Sequence, residues 1–131
     1  CYKTINIEAL TMLDIAKKQI VPAVIEYMSD ISQEINAKRS VNEKLGCKLE
    51  CHLLENLSCL SDELDSKITE LEAAVDAARK ETDAIETAKV YHDSVFEKMQ
   101  GLRNVADELE MITKKSYWPL PSYGDILYSV K

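Results

Sequence analysis

The sequence predicts an all-α fold: an antiparallel three-helix bundle with a long coiled-coil-like hairpin and an irregular Pro/aromatic C-terminal tail. Three observations carry this. The 131 residues include only three Gly and three Pro, so little in the chain can stop a helix. Apolar residues recur at three- and four-residue spacing over most of its length. The pattern then fails after Lys115, where two of the three prolines and four of the eight aromatic residues collect. The expected division is a bundle over 1–114, with helices at about 6–37, 40–80 and 83–114, and a non-helical docking tail over 115–131.

The first helix is expected to start at Asn6, whose side chain can cap the free amides of a first turn. Leu10, Leu13, Ile20, Val24, Tyr27, Ile31 and Ile35 form its stripe, interrupted at Lys17. Pro22 lies inside the pattern, and the periodicity survives on both sides. That favours one kinked helix over two helices, because a break would usually reset the register. From Ile7 to Ala37 it would measure about 45 Å at 1.5 Å per residue.

Ser40-Val41-Asn42-Glu43 has the S-x-x-E form of a capping box and predicts the second helix start. Leu45, Leu49, Leu53, Leu57, Leu60, Leu64, Ile68, Leu71, Val75 and Ala78 form its stripe. Charged residues fall mostly on its other faces, as a long bundle helix requires. Gly46 near its start would cost roughly 1 kcal/mol. No Gly or Pro marks the next boundary. One helix from Ser40 to Lys114 would be a rod of roughly 110 Å, which a chain this size could bury only by dimerising. A turn at Lys80–Asp83 is preferred, with Asp83 and Glu86 as an acidic analogue of the capping box. The third helix shows heptads, with Ile85, His92, Met99, Ala106 and Thr113 at one position and Ala88, Val95, Leu102 and Leu109 at the other. Phe96 and Ile112 widen this stripe. Nothing in the sequence explains Gly101, mid-helix.

The tail reads Tyr117-Trp118-Pro119-Leu120-Pro121-Ser122-Tyr123-Gly124-Asp125-Ile126-Leu127-Tyr128-Ser129-Val130. Proline lacks the amide donor and clashes with the preceding turn, so the helix cannot continue. Disordered ends are poor in aromatics because they bury nothing, so this segment should dock. Tyr117, Trp118, Pro119, Pro121, Tyr123 and Tyr128 are the candidate docking residues.

Sixteen Lys and Arg against twenty-three Asp and Glu give a net charge of −7. That balance argues against nucleic acid, which selects basic stripes, and against an anionic membrane surface. No apolar run approaches the roughly 20 residues that span a bilayer. The opening Cys1-Tyr2-Lys3 has no leader pattern and no initiator Met, which reads as a piece of a longer, cytoplasmic protein. Cys47 and Cys51 would share one helix face, and His52 follows directly. A structural zinc site wants four ligands from two elements, and the second pair is missing. Free thiols packed as small hydrophobes are the simpler reading of Cys47, Cys51 and Cys59. His92 falls in the heptad seam without a partner, so a hydrogen-bonded core or half-exposed histidine is expected. No Gly-rich phosphate loop, HExxH pair, nucleophile elbow or activated cysteine is present in the sequence. No catalytic, cofactor-binding or metal-binding residue is assigned.

Two stretches resemble a known family. Ile5-Asn6-Ile7-Glu8-Ala9-Leu10-Thr11-Met12-Leu13-Asp14-Ile15-Ala16-Lys17-Lys18-Gln19-Ile20-Val21-Pro22-Ala23-Val24 is similar to the start of the C-terminal region of type III glutamine synthetases. Leu102-Arg103-Asn104-Val105-Ala106-Asp107-Glu108-Leu109-Glu110, with the Trp-Pro-x-Pro-x-Tyr-Gly-Asp tail, is similar to the end of the same enzymes. The middle, around Cys47 to Leu60, is the loosest part. The resemblance implies a parent enzyme of bacterial type that joins ammonia to glutamate with ATP and Mg or Mn. It implies stacked hexameric rings as well, with metal and nucleotide sites upstream of this region. This chain would then be a helical extension without catalysis, its partners being the parent's catalytic domain and neighbouring subunits. Two other readings stand beside it. One is an autonomous coiled-coil adaptor recruiting a protein through the Trp-Pro tail, which would be ordered only by its partner. The other is a metal or ligand binder using Cys47, Cys51, His52 and His92.

Overall fold

The computed structural model describes residues 2–121. It is an all-α bundle of three helices, with no strand among the described residues. Helix α1 covers 2–41, α2 is Lys48–Lys80, and α3 covers 84–112. Short turns make α1 and α2 antiparallel, and α2 and α3 likewise. Lys38 of α1 meets Glu50 near the start of α2, and Lys17 meets Glu72 near its end. Helices α1 and α3 therefore run in the same direction, with Tyr2 stacked on Tyr91 at their N-terminal ends.

Two of the three helices contain one wide π-turn, Ala16–Ile20 in α1 and Tyr91–Val95 in α3. In α1 the Val21 amide bonds back to the Ala16 carbonyl, one residue farther than in an α-turn. Pro22 follows immediately. A proline in a helix clashes with the carbonyl four residues earlier and leaves it without a donor. The wide turn falls on that stretch, so the helix passes the proline without ending. Ala9, Leu13, Ala16, Ile20, Val24, Ile31 and Ile35 form its buried face, while Leu10 lies at the edge. The helix starts at Tyr2 and not at Asn6. The Asn6 amide oxygen is instead taken by the Tyr91 hydroxyl, which donates to it at 3.1 Å.

The capping box at Ser40 does not form. Ser40 is exposed in the last turn of α1, and α2 starts at Lys48. The chain leaves the helix at Asn42, whose backbone is extended and whose Oδ1 accepts the Lys44 amide at 3.0 Å. The Asn42 carbonyl accepts the Leu45 amide, also at 3.0 Å. An asparagine closing its own turn outcompetes the serine cap. Lys38 then ties the turn down, donating to the Gly46 carbonyl and to Glu50, each at 2.6 Å. Gly46 thus lies in the turn, not in a helix, and Leu45 and Leu49 leave the stripe for solvent.

The second turn is at 81–83. Asp83 caps α3 by accepting the Ile85 amide at 3.4 Å, and Thr87 returns its hydroxyl to the Asp83 carbonyl at 2.8 Å. The π-turn in α3 adds one residue to the repeat, so the seam upstream of it moves back by one position. Tyr91 is therefore buried and His92 exposed, against the heptad expectation; Ile85 and Ala88 are exposed as well, in a first stretch of α3, Ala84–Val90, that has no buried residue. Downstream, Val95, Met99, Leu102, Val105 and Leu109 close on Leu57, Leu64, Ile68, Leu71 and Val75 of α2 in one core. Thr113 is buried at the end of the seam, with no hydrogen-bond partner for its hydroxyl among the described residues.

Gly101 faces Lys67 of α2. A β-carbon there would stand 3.5 Å from the lysine Cδ, ordinary contact distance. The lysine stem crosses at that point and brings its ammonium to Glu70 at 3.5 Å, with Lys98 on the same carboxylate at 3.2 Å. The hydrogen bond from Lys98, followed by the charge of Lys67, holds the Glu70 carboxyl below its usual range. At the opposite end the hydrogen bond from Lys38 does the same to Glu50, and the Lys38 ammonium is raised in return.

Candidate functional site

Helix α3 ends at Ile112, where Thr113 turns extended. A tight turn follows. The Tyr117 amide bonds to the Lys114 carbonyl at 2.8 Å, and the Trp118 amide is shared between the Lys114 and Lys115 carbonyls. Pro119 and Pro121 have no amide to donate, and each holds the residue before it out of the helical region. Extended backbone alternates its side chains between two faces. Trp118 and Leu120 are accordingly half-buried against the bundle, and Pro119 and Pro121 are exposed.

Tyr117 packs on Tyr27 of α1, with ring centroids 5.4 Å apart and planes tilted by 35°. The Lys114 ammonium stands 5.8 Å from the Tyr117 centroid, within cation–π reach. Beyond this contact the chain turns back along α1 and α3. Trp118, Leu120 and Pro121 wall a groove of about 660 Å³ between the two helices. Its floor is apolar, with Met12, Ile15, Ala16 and Ile20 from α1 and Leu102 and Ala106 from α3. Glu8, Asp107 and Glu110 line it as well, with Arg103 as its single basic side chain among the described residues. Of the six candidate docking residues, Tyr117 and Trp118 are thus placed against the bundle itself, and Pro119 points away. Pro121 lines the groove; Tyr123 and Tyr128 lie outside the described residues.

The cysteines and histidines do not converge. Cys47 is buried before α2, Cys51 is half-buried in its first turn, and Cys59 is exposed two turns on. His52 is exposed. His92 is near the start of α3, beside the far end of α2, about 30 Å from His52 at helical rise. Its ring nitrogen instead faces neighbouring Asp93 at 3.5 Å. The reading that joins Cys47, Cys51, His52 and His92 in one site is overturned by the antiparallel hairpin, which puts them at opposite ends. Among the described residues no group of three or more His, Cys, Asp or Glu is placed to hold a metal ion. Nor is any described helix long and apolar enough to cross a membrane.

The groove with its aromatic wall was only half visible beforehand. That the tail would bury aromatics was expected; that its target includes Ile15, Ala16 and Ala106 was not. The one local signal was Ala16 and Ala106, small residues that leave room beside a helix.

Comparison with known proteins places the chain. Residues 1–39, nearly all of α1, match the family model described as the glutamine synthetase C-terminal domain. A glutamine synthetase of Butyrivibrio fibrisolvens is 34% identical over 129 residues, covering 98% of this chain and 18% of the relative. The type-3 glutamine synthetase of Dictyostelium discoideum is 24% identical over 130 residues, covering 96% of the chain and 18% of the relative. A glutamine synthetase of Bacteroides fragilis is 21% identical over 129 residues, covering 95% and 18%. The chain spans about a fifth of the length of the curated relatives it matches. No solved structure matches it. The first 39 residues thus match the glutamine synthetase C-terminal domain, and nearly the whole chain is similar to part of glutamine synthetases, one of them of type 3.

Proposed function

We propose that this helical bundle is a non-catalytic structural domain of a cytoplasmic type-3 glutamine synthetase, bracing contacts within a homo-oligomer. The parent would join ammonia to glutamate with ATP and Mg or Mn, its metal and nucleotide sites lying outside this chain. Stacked hexameric rings are the assembly in which the bundle would serve.

The observation that carries the bracing role is the α1–α2 turn. Val41, Leu45 and Leu49 are 81%, 42% and 78% exposed there, close together at one end of the bundle. Apolar side chains gathered at one tip fit a contact with another domain or subunit. The turn is also held firm by Lys38, so the tip is presented in one shape. The adaptor reading needs the Trp-Pro segment free for a partner, whereas Tyr117 and Trp118 pack on their own bundle.

The test uses the full-length enzyme carrying Val41→Asp and Leu49→Asp together, measured by light scattering and by turnover. A fall in assembly mass with a matching loss of activity is expected. An unchanged oligomer with unchanged turnover would remove the bracing role. Deleting 115–131 in the same enzyme reports separately on whether the tail takes part in assembly.

A further inference from the structure

The tip at the α1–α2 turn differs from the rest of the chain in charge as well as in polarity. Between Lys38 and Glu50 four basic residues stand against two acidic ones, whereas the remainder of the sequence has twelve against twenty-one. Lys38 and Glu50 are joined to each other. Arg39, Lys44 and Lys48 are exposed and have no ion-pair partner among the described residues, and neither has Glu43.

Helix electrostatics account for only part of this. Arg39 lies in the last turn of α1, where the helix dipole favours a cation. Lys48 opens α2, where the same dipole disfavours one, and Lys44 lies between the two helices. The charges of Lys44 and Lys48 therefore serve neither helix. They flank Leu45 and Leu49, two of the three exposed apolar side chains of the tip.

We propose that the tip docks on an acidic protein surface, one with an apolar centre and a rim of carboxylates. This rests on the bracing role proposed above and names the chemistry of its partner. Val41, Leu45 and Leu49 enter the apolar centre, and Lys44 and Lys48 meet the carboxylates around it, the arrangement of an apolar core inside a polar rim. Pairs at such a rim steer the encounter and fix its register more than they add affinity. An anionic membrane and a nucleic acid offer the same sign of charge, but the acidic remainder of the chain is repelled by both. A protein face of limited extent leaves that remainder clear.

The full-length enzyme is treated with a carbodiimide, which condenses a lysine amine with a carboxylate to an amide and takes up the water as a urea. The joined peptides are then identified by mass spectrometry. Lys44 or Lys48 should be joined to an Asp or Glu beyond the α1–α2 turn in the assembled enzyme and not in dissociated subunits. Crosslinks confined to Glu43 and Glu50 overturn the proposal. These are read on the unaltered enzyme, so the test survives a variant that fails to fold. Lys44→Glu with Lys48→Glu should slow reassembly from dissociated subunits at least about tenfold at low salt and remove its salt dependence. Lys44→Arg with Lys48→Arg should leave both as they were. An unchanged rate in the reversed-charge variant overturns the acidic partner; if Val41→Asp with Leu49→Asp still lowers the assembly mass, the bracing role stands without it. Sedimentation of the enzyme with vesicles of anionic lipid, lost on charge reversal, would make a lipid surface the partner and overturn the proposal too.

Discussion

Replacing Tyr91 or its neighbour His92 separates the wide-turn register of α3 from a plain heptad. Tyr91 is 4% exposed, stacks on Tyr2 with centroids 5.3 Å apart, and donates its hydroxyl to Asn6. Removing only the hydroxyl, in Tyr91→Phe, costs about 1 kcal/mol, the net worth of one hydrogen bond in a partly buried site. Truncation in Tyr91→Ala also removes the ring stack and leaves a cavity, so about 3–5 kcal/mol is lost. His92 side-chain exposure is 82%, and His92→Ala should stay within about 0.5 kcal/mol. The assay is urea and thermal unfolding followed by circular dichroism, with Tm moving by about 4 °C per kcal/mol at this size. Equal m-values would show that the unfolded states are comparable. A greater loss for His92→Ala than for Tyr91→Ala would restore the unbroken heptad and refute the π-turn register.

Other expectations follow from the caps, the charges and the one mid-helix glycine. Asp83→Ala should lose about 0.5–1 kcal/mol as its long cap bond is removed, while Ser40→Ala in the last turn of α1 should change almost nothing; chemical denaturation of both variants decides. Glu70 and Glu50 have folded values below their unfolded ones. Their contribution is therefore full above the unfolded carboxylate range and disappears as pH falls through the folded value. A pH series of unfolding midpoints should show a drop on the acid side of about pH 4.5, weakened in Glu70→Gln. Lys38 has the opposite sign, so its pairing is complete below the usual lysine value and fades as pH rises through its raised one. Gly101→Ala should gain about 0.5–1 kcal/mol, because its β-carbon meets only the flexible Lys67 stem. Gly101→Leu should instead push Lys67 off Glu70, visible as a change in the acid-side midpoint.

The helical content and the antiparallel order were legible because they rest on repeated signals. Leu57, Leu64 and Leu71 recur every seven residues and all are buried; Leu102 and Leu109 answer them. Asp83 was legible because a carboxylate before a helix has one obvious use. The misread features depend on competition or on distance. Ser40 lost to Asn42 because two capping residues stood two positions apart, and the one that also closed a turn prevailed. Asn6 looked like a cap until Tyr91, 85 residues away, took its oxygen. The π-turn in α3 is marked by no Pro or Gly, so nothing local signalled it and His92 was placed one position out of phase. Of the site, the end of α3 before Pro119 and the docking of Tyr117 and Trp118 were readable from the prolines and aromatics. Its seat between α1 and α3 depended on which helices lie side by side, which no single stretch encodes.

The wide turn before Pro22 has a mechanical consequence. By letting 2–41 remain one helix, it makes a single strut of about 60 Å out of what a proline would otherwise divide in two. One end of that strut carries the Tyr2–Tyr91 stack, and the other carries the apolar tip at Val41. A push on the tip is therefore delivered along one rod to the far end of the bundle, where a hinge at Pro22 would have absorbed it.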